Sequence, residues 1–433
     1  MLRKFFSLLA ICVTTILGYP QTSWAGSNDS IYRIYSGNLM AYPYAEKEPP
    51  AQTPVPKGYT PFHIEHYGRH GSRWLIGKND YKTPTERLTR AERAGKLTPL
   101  GQKTLNALRE IQKASENRLG ELSDKGATQH QVIGKRMATN YPEIFAPGAN
   151  VDTKSTVVIR CILSMLNGIQ GIKSVQPDIN LHSDASQADM YFMNFSDKPA
   201  GIVRHKADSI YRTPHWRQHQ LDGEYLSRLV TDRQFAEDSV APGLMPYLYW
   251  VLANTQSHSG QPWLVEDILT PEEMKELWRG DNGGWIIHAI KSPMSENRMP
   301  FTQRNLLRNI IESADTAMMS ATPSANLRYG HDGILINLVT LMDINGLGQE
   351  FATIEEAEEA GVRTYEIIPM AGNLQMIFYR PSDPHKDWLV KVLLNEEEVS
   401  LPAASATGPY YSWPALRRHY LDILDAFDRQ HPE

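Results

Sequence analysis

Strand-like and helix-like stretches alternate along this chain, and that alternation restricts it to a layered α/β architecture. Residues Thr60 to Gly68 alternate in polarity and leave through a Gly-rich exit, which predicts a strand running into a loop. Thr98-Pro99 has the form of an N-cap followed by Pro at the first helical position. Leu100, Leu105, Leu108 and Ile111 keep one apolar face after it. Ser123 opens a second helix, with Asp124 in its first turn and Val132, Ile133 and Met137 inside. The β-branched run Thr156-Val157-Val158-Ile159 reads as a buried strand ending at Arg160. Further on, a helix is predicted over 304–319, a short strand ending at Asn326-Leu327-Arg328-Tyr329, and an apolar helix from Ile334 to Met342. Leu374 to Arg380 and Trp388 to Leu394 read as strands joined by the turn Pro381-Ser382-Asp383-Pro384. The expected fold is a layered α/β/α core around a mixed, mainly parallel sheet.

Residues 175–300 differ in character. They hold most of the Trp, many Met and His, and several short helical patterns such as Pro271 to Trp278. They are expected to form an inserted, mainly helical cap, with the core built from 26–174 and 301–433 and an irregular lead-in over 26–60. At 433 residues and 41% apolar the chain can bury a large core.

The first 25 residues have their own pattern. Arg3 and Lys4 precede an apolar run from Phe5 to Leu17, and Ser23-Trp24-Ala25 places small residues where a leader peptidase cuts. The run is shorter than the ~20 residues that a membrane span needs, and no later stretch reaches that length. Residues 1–25 therefore read as a cleaved signal peptide, and the mature chain as exported: periplasmic, secreted or at the cell surface. Loss of Arg3 and Lys4 takes the formal charge from −5 to −7. Such an acidic balance argues against binding to nucleic acid or to an anionic membrane surface. Cys12 leaves with the leader and Cys161 remains alone, so neither a disulfide framework nor a Cys-based metal site is expected. Nothing in the sequence sets an oligomeric state.

The chemistry concentrates at Arg69-His70-Gly71-Ser72-Arg73, where the first strand ends. α/β proteins place ligands outside such strand ends. Two guanidinium forks can hold phosphate oxygens bidentately, and Gly lets the backbone come close. A neutral imidazole between them is a competent nucleophile toward phosphorus. Arg160 ends its own predicted strand and supplies a third cation. His331-Asp332 stands at a strand-to-helix junction, where His331 can donate to phosphate and Asp332 can deliver a proton to a leaving oxygen. Lys78, in the loop after the motif, is a candidate for contacting further phosphates. His63 and His66, on the strand, read as structural. Residues 354–359 read as a solvated acidic helix face. His215, Trp216 and His219 are candidates for lining a specificity pocket.

These motifs resemble the histidine phosphatase superfamily, in its acid phosphatase and phytase branch. Arg69-His70-Gly71-Ser72-Arg73 matches the branch's opening signature in full. Leu122-Ser123-x-x-Gly126, with Gly134 and Tyr141 beyond, is similar to its Leu-Thr-x-x-Gly helix region. Arg160-x-x-x-Ser164 is similar to its third phosphate-binding arginine segment, and His331-Asp332 to its late His-Asp pair. The likeness runs in order over 60–170 and 305–395. It implies that His70 becomes phosphorylated, that Arg69, Arg73, Arg160 and His331 bind the phosphoryl group, and that Asp332 protonates the leaving alcohol. It implies no metal and no other cofactor. Some inositol polyphosphate phosphatases of the branch carry His-Ala-Glu at the late motif, where this chain has His-Asp-Gly. Leu-Ser-Asp-Lys-Gly and Tyr-Pro-Glu-Ile-Phe nevertheless resemble that subgroup. The expected activity is phosphomonoester hydrolysis on small phosphorylated polyols or sugars, with inositol phosphates first. The alternatives are a phosphoglycerate mutase-like transferase and a non-catalytic phosphate- or sugar-binding protein on the same fold.

Overall fold

A computed structural model describes residues 31–258 and 265–432; the leader peptide reading, with its cleavage site, lies outside them. Nine strands form one mixed sheet: β1 (Tyr59–Arg69), β2 (Asn150–Ser155), β3 (Asn180–Asp184), β4 (Ser324–Gly330), β5 (Asn373–Pro381), β6 (Leu389–Leu394), β7 (Glu397–Glu398), β8 (Ser405–Thr407) and β9 (Tyr410–Ser412). Their order is β3-β2-β4-β1-β5-β6-β9-β8, with β7 on β6. The first four strands in that order are mutually parallel, and every pairing from β1–β5 onward is antiparallel.

Helices of eight or more residues are α1 (Lys78–Arg93), α2 (Pro99–Ala114), α3 (Asp124–Asn140), α4 (Ile159–Lys173), α5 (Lys198–Ala207), α6 (Tyr247–Asn254), α7 (Pro271–Ala289), α8 (Arg304–Met318), α9 (Asp332–Leu341) and α10 (Trp413–Gln430). The expected N-caps are made: the Thr98 hydroxyl accepts from the Gly101 N–H and the Ser123 hydroxyl from the Gly126 N–H.

The period-2 pattern of the strands explains the layers. On β5, Leu374, Met376 and Phe378 face a core shared with Ile310 of α8, Leu335 of α9 and Leu416 of α10. Ile377 and Tyr379 face the other way, with Leu389 and Leu393 of β6, onto Met137 of α3 and Met165 and Ile169 of α4. Strands carrying apolar side chains on both faces need a helix layer on each side. A third apolar cluster joins α1, α2 and α6 to the lead-in through Tyr42 and Tyr44. Among the described residues, no helix is long and apolar enough to cross a membrane.

Three sequence expectations need correction. The run Thr156 to Ile159 is not a strand: β2 ends at Ser155, and the run turns into α4. In β2, Val151, Thr153 and Ser155 are buried between more exposed neighbours, so a polar-looking alternating segment forms the strand. Arg160 therefore sits in the first turn of a helix. Lys78 does not lie in a loop but begins α1. The core sheet also runs past residue 174, because the exposed edge strand β3 pairs with β2.

Candidate active site

The sheet register brings the predicted segments together. Arg69 on β1 pairs with Gly330 on β4, and Ser155 on β2 pairs with Tyr329 on β4, all in parallel. Three strands thus end at one edge, and their exits carry His70, Arg160 and His331-Asp332. The His70 and His331 ring centroids are 6.1 Å apart.

Two motif glycines allow the loops to close. A Cβ on Gly71 would lie 2.4 Å from the Gly126 carbonyl oxygen, and a Cβ on Gly126 would lie 2.2 Å from the Ser72 carbonyl oxygen. The backbones meet there, with the Ser123 N–H donating to the Ser72 carbonyl at 2.9 Å. Gln129 clasps Ser72 from the next turn of α3, accepting its N–H at 2.9 Å and donating to its hydroxyl at 3.0 Å. Ser164 of α4 accepts the Gly71 N–H at 3.1 Å, which gives Arg160-x-x-x-Ser164 a mechanical reason: one helix carries both a cation and the loop's clasp.

His70 is buried, and its Nδ1–H donates to the Gly71 carbonyl at 2.9 Å. That bond leaves Nε2 as the nitrogen free to attack. Burial and then Arg69, Arg73 and Arg160 hold the imidazole well below its ordinary range, so it is neutral and keeps a lone pair on Nε2. Arg69 is fully buried, and its Nη1 donates to the carbonyls of Asn38 and Ile368. Its Nη2 lies 2.8 Å from Asp332 Oδ2, an ion-pair contact that misses hydrogen-bond angles. Arg69 Nε and Nη2, Arg73 Nε and Arg160 Nε are all buried without a hydrogen-bond partner. A buried donor left unmade costs about 1–3 kcal/mol. Four such nitrogens around one neutral imidazole fit a tetrahedral oxyanion, whose oxygens accept from all of them.

His331 caps α9 and lies 3.2 Å from the Thr156 hydroxyl through Nε2. Burial chiefly, with Arg160, Arg69 and Arg73, holds its ring near about 4 against the pull of Asp332. Burial pushes the Asp332 carboxyl up, but Arg69, Arg73 and His331 outweigh it and hold the group below its ordinary value. Asp332 keeps a side chain 19% exposed, open to a cavity of about 580 Å³ that also exposes His331. Among the described residues, no cluster of three or more His, Cys, Asp or Glu could hold a metal ion.

No protein-family model matches the chain. A curated relative, multiple inositol polyphosphate phosphatase 1 of Gallus gallus, is 21% identical over 442 residues, covering 96% of this chain and 92% of the relative. The Bifidobacterium longum multiple inositol polyphosphate phosphatase, solved as a complex with phosphate, superposes with a TM-score of 0.67 at 17% identity, covering 90% of this chain and 98% of that one. A phytase from D. castellii gives 0.62 at 16% identity, over 90% and 86% of the two chains. This chain shares its fold with these inositol polyphosphate phosphatases and phytases.

Several sequence candidates fall outside the pocket around His70. Lys78 is exposed on the first turn of α1 and lines neither cavity beside the pocket. Asp80, two positions on, lines one of them instead. The His215 and His219 rings lie 4.6 Å apart at a tilt and meet Glu355 and Glu276, so they tie their helix to the neighbouring ones. Trp216 packs on Gly280, where a Cβ would come within 2.7 Å of its ring. All three serve packing and line neither cavity. His63 is held within the core: its Nε2 lies 2.8 Å from Glu65, which also pairs with Arg328. Sequence reasoning missed Asn38, Lys198, Arg204, Arg212, Asp281 and Trp285, which line the two cavities. Of these, only Lys198-Pro199 after Asp197 carried a local signal, that of a helix start.

Two further imidazoles lie beneath this arginine-lined pocket. His66 and His130 face the Tyr329 ring at 5.1 and 5.5 Å, and His130 also donates to the Arg69 carbonyl. Burial holds both near about 3, assisted at His66 by His130 and Arg328. The unfolded chain protonates histidine near ~6.5, so below that pH it binds protons that the fold excludes. Stability is therefore full above about pH 6.5 and falls as pH drops toward 3. The pair should lose roughly 2 kcal/mol between pH 6.5 and 5.5. Urea unfolding at the two pH values measures this, and the slope should shrink in His66→Asn/His130→Asn. An unchanged slope in that variant would rule the pair out.

Proposed function

We propose that this chain is an exported phosphomonoester hydrolase that acts on inositol phosphates through a phosphohistidine at His70. The carrying observation is the set of four buried guanidinium nitrogens without a hydrogen-bond partner around a neutral imidazole whose Nδ1 is already engaged. The names of the relatives support the inositol phosphate class. The leader pattern in residues 1–25 supports export.

In the first step the Nε2 lone pair attacks phosphorus and the P–O bond to the alcohol breaks. Arg69, Arg73, Arg160 and His331 hold the three remaining oxygens. The leaving oxygen takes a proton from Asp332. In the free protein Asp332 is ionised, because the arginines beside it outweigh burial. A bound phosphate engages those arginines and adds negative charge, so the carboxyl rises and carries the proton when it is needed. In the second step water attacks the phosphohistidine, Asp332 takes its proton, and His70 leaves as neutral imidazole. The net change is phosphate ester plus water to alcohol plus inorganic phosphate.

The test uses aryl phosphate and labelled inositol phosphate. Phosphate should be released without any diphosphoglycerate, and acid quenching at short times should trap only traces of label, because the phosphohistidine is acid-labile. Alkaline quenching should trap base-stable label on His70. Absence of release, or label on any other residue, would sink the reading.

A further inference from the structure

Two cavities flank the phosphate pocket and share Trp285 and His288. The first, of about 580 Å³, meets the pocket through His331 and Asp332. The second, of about 270 Å³, meets it through Arg73. A substrate with its phosphate on the arginines must place the rest of itself in one or both.

Their charges differ. The first cavity is lined by Lys198 and Arg204 of α5, both exposed and without an ion pair among the described residues. Its remaining carboxylates are occupied. Asp197 caps α5 and binds Arg304, and Asp332 faces Arg69. The second cavity is lined by Asp80, Arg212 and Asp281. Arg212 faces Asp208 at 3.7 Å, and Asp208 in turn binds His288 at 2.6 Å. Asp80 accepts the Gly77 N–H at 2.7 Å. Asp281 has no cation within ion-pair distance among the described residues. It lies 3.4 Å from the Trp250 indole nitrogen, Trp285 also reaches it, and Arg212 acts on it only from beyond ion-pair distance.

We propose that the cavities divide the substrate by charge, with a second phosphate directed to Lys198 and Arg204 and a face of free hydroxyls directed to Asp281. A second phosphate placed beside Asp281 meets a carboxylate that has no direct ion-pair partner among the described residues, which repels it. Hydroxyl groups there donate to the same carboxylate and satisfy it. Trp250 and Trp285 supply flat walls for the C–H face of a ring. This deepens the proposed function and rests on it. The favoured substrate is a partly dephosphorylated cyclic polyol, with phosphate on one side of the scissile ester and hydroxyls on the other. Inositol hexakisphosphate fits less well.

The test is kcat/KM of the full chain on inositol hexakisphosphate, on an inositol trisphosphate with vicinal hydroxyls, and on nitrophenyl phosphate. Asp281→Asn keeps the shape and removes the charge. It should raise the ratio of hexakisphosphate to trisphosphate about tenfold, equivalent to about 1.4 kcal/mol. An unmoved ratio in a folded variant would overturn the proposal. Should that variant not fold, the exposed Lys198→Glu carries the test. It should lower kcat/KM about tenfold for both inositol phosphates relative to the aryl ester, and equal effects on all three substrates would overturn the proposal. Wild-type protein that releases no phosphate even from the aryl ester would instead overturn the phosphatase reading itself.

Discussion

His70→Ala should abolish turnover, lowering kcat by about 10⁴-fold or more on every phosphate ester, since loss of an enzymic nucleophile has effects of that order. No neighbour can replace it. The His331 ring centroid lies 6.1 Å away, and its Nε2 already meets the Thr156 hydroxyl. The Cys161 thiol is buried and pushed up to about 11, chiefly by that burial, so it stays protonated. The fold should survive, because His70 contributes one short side-chain bond to its own neighbour while its backbone N–H and carbonyl hold Gly330 and Ala371. Steady-state assays and alkaline-quench labelling check the expectation. An unchanged kcat in the variant would end the phosphohistidine mechanism.

Asp332→Asn should separate substrates by leaving group. An alcohol leaving a sugar or inositol ring needs a proton in the transition state, whereas nitrophenolate hardly does. General acid catalysis is worth about 10²–10⁴-fold, so inositol phosphate turnover should fall by that factor. Nitrophenyl phosphate should fall far less. The amide also relieves Arg69 of its carboxylate neighbour at 2.8 Å, so phosphate should bind more tightly. Rates measured across substituted phenyl phosphates give the slope against leaving-group pKa, which should steepen in the variant. Equal slowing of all substrates would remove Asp332 from the proton-donor role.

The legible part of this site is the part built at strand exits. Residues 60–73 announce a strand and its loop, and β1 with its register to β4 carries His70 to the edge where His331 emerges. Arg160 was legible as a cation of the same edge but not as a helical one. Thr156-Val157-Val158 has the composition of a strand, while β2 hides behind Asn150, Asp152 and Lys154, which are not buried. α1 was illegible because its apolar stripe is thin. Tyr81, Pro84, Leu88 and Ala91 are buried among charges, and Pro84 lies within the helix. Strand β3 has no buried position at all, so pairing with β2 places it where no pattern could. The cavity residues are set by tertiary packing alone. Arg204, Arg212 and Asp281 come from three helical segments whose neighbours in sequence say nothing about a shared wall.

One guanidinium group draws its anchors from two stretches far apart in sequence. Arg69 Nη1 is held by the carbonyl of Asn38, near the start, and by that of Ile368, more than three hundred positions later. The arginine cannot take up its working pose until those two stretches have met. A fragment stopping short of residue 368 therefore lacks one of the two carbonyls that hold this side chain, however well its first motif is formed.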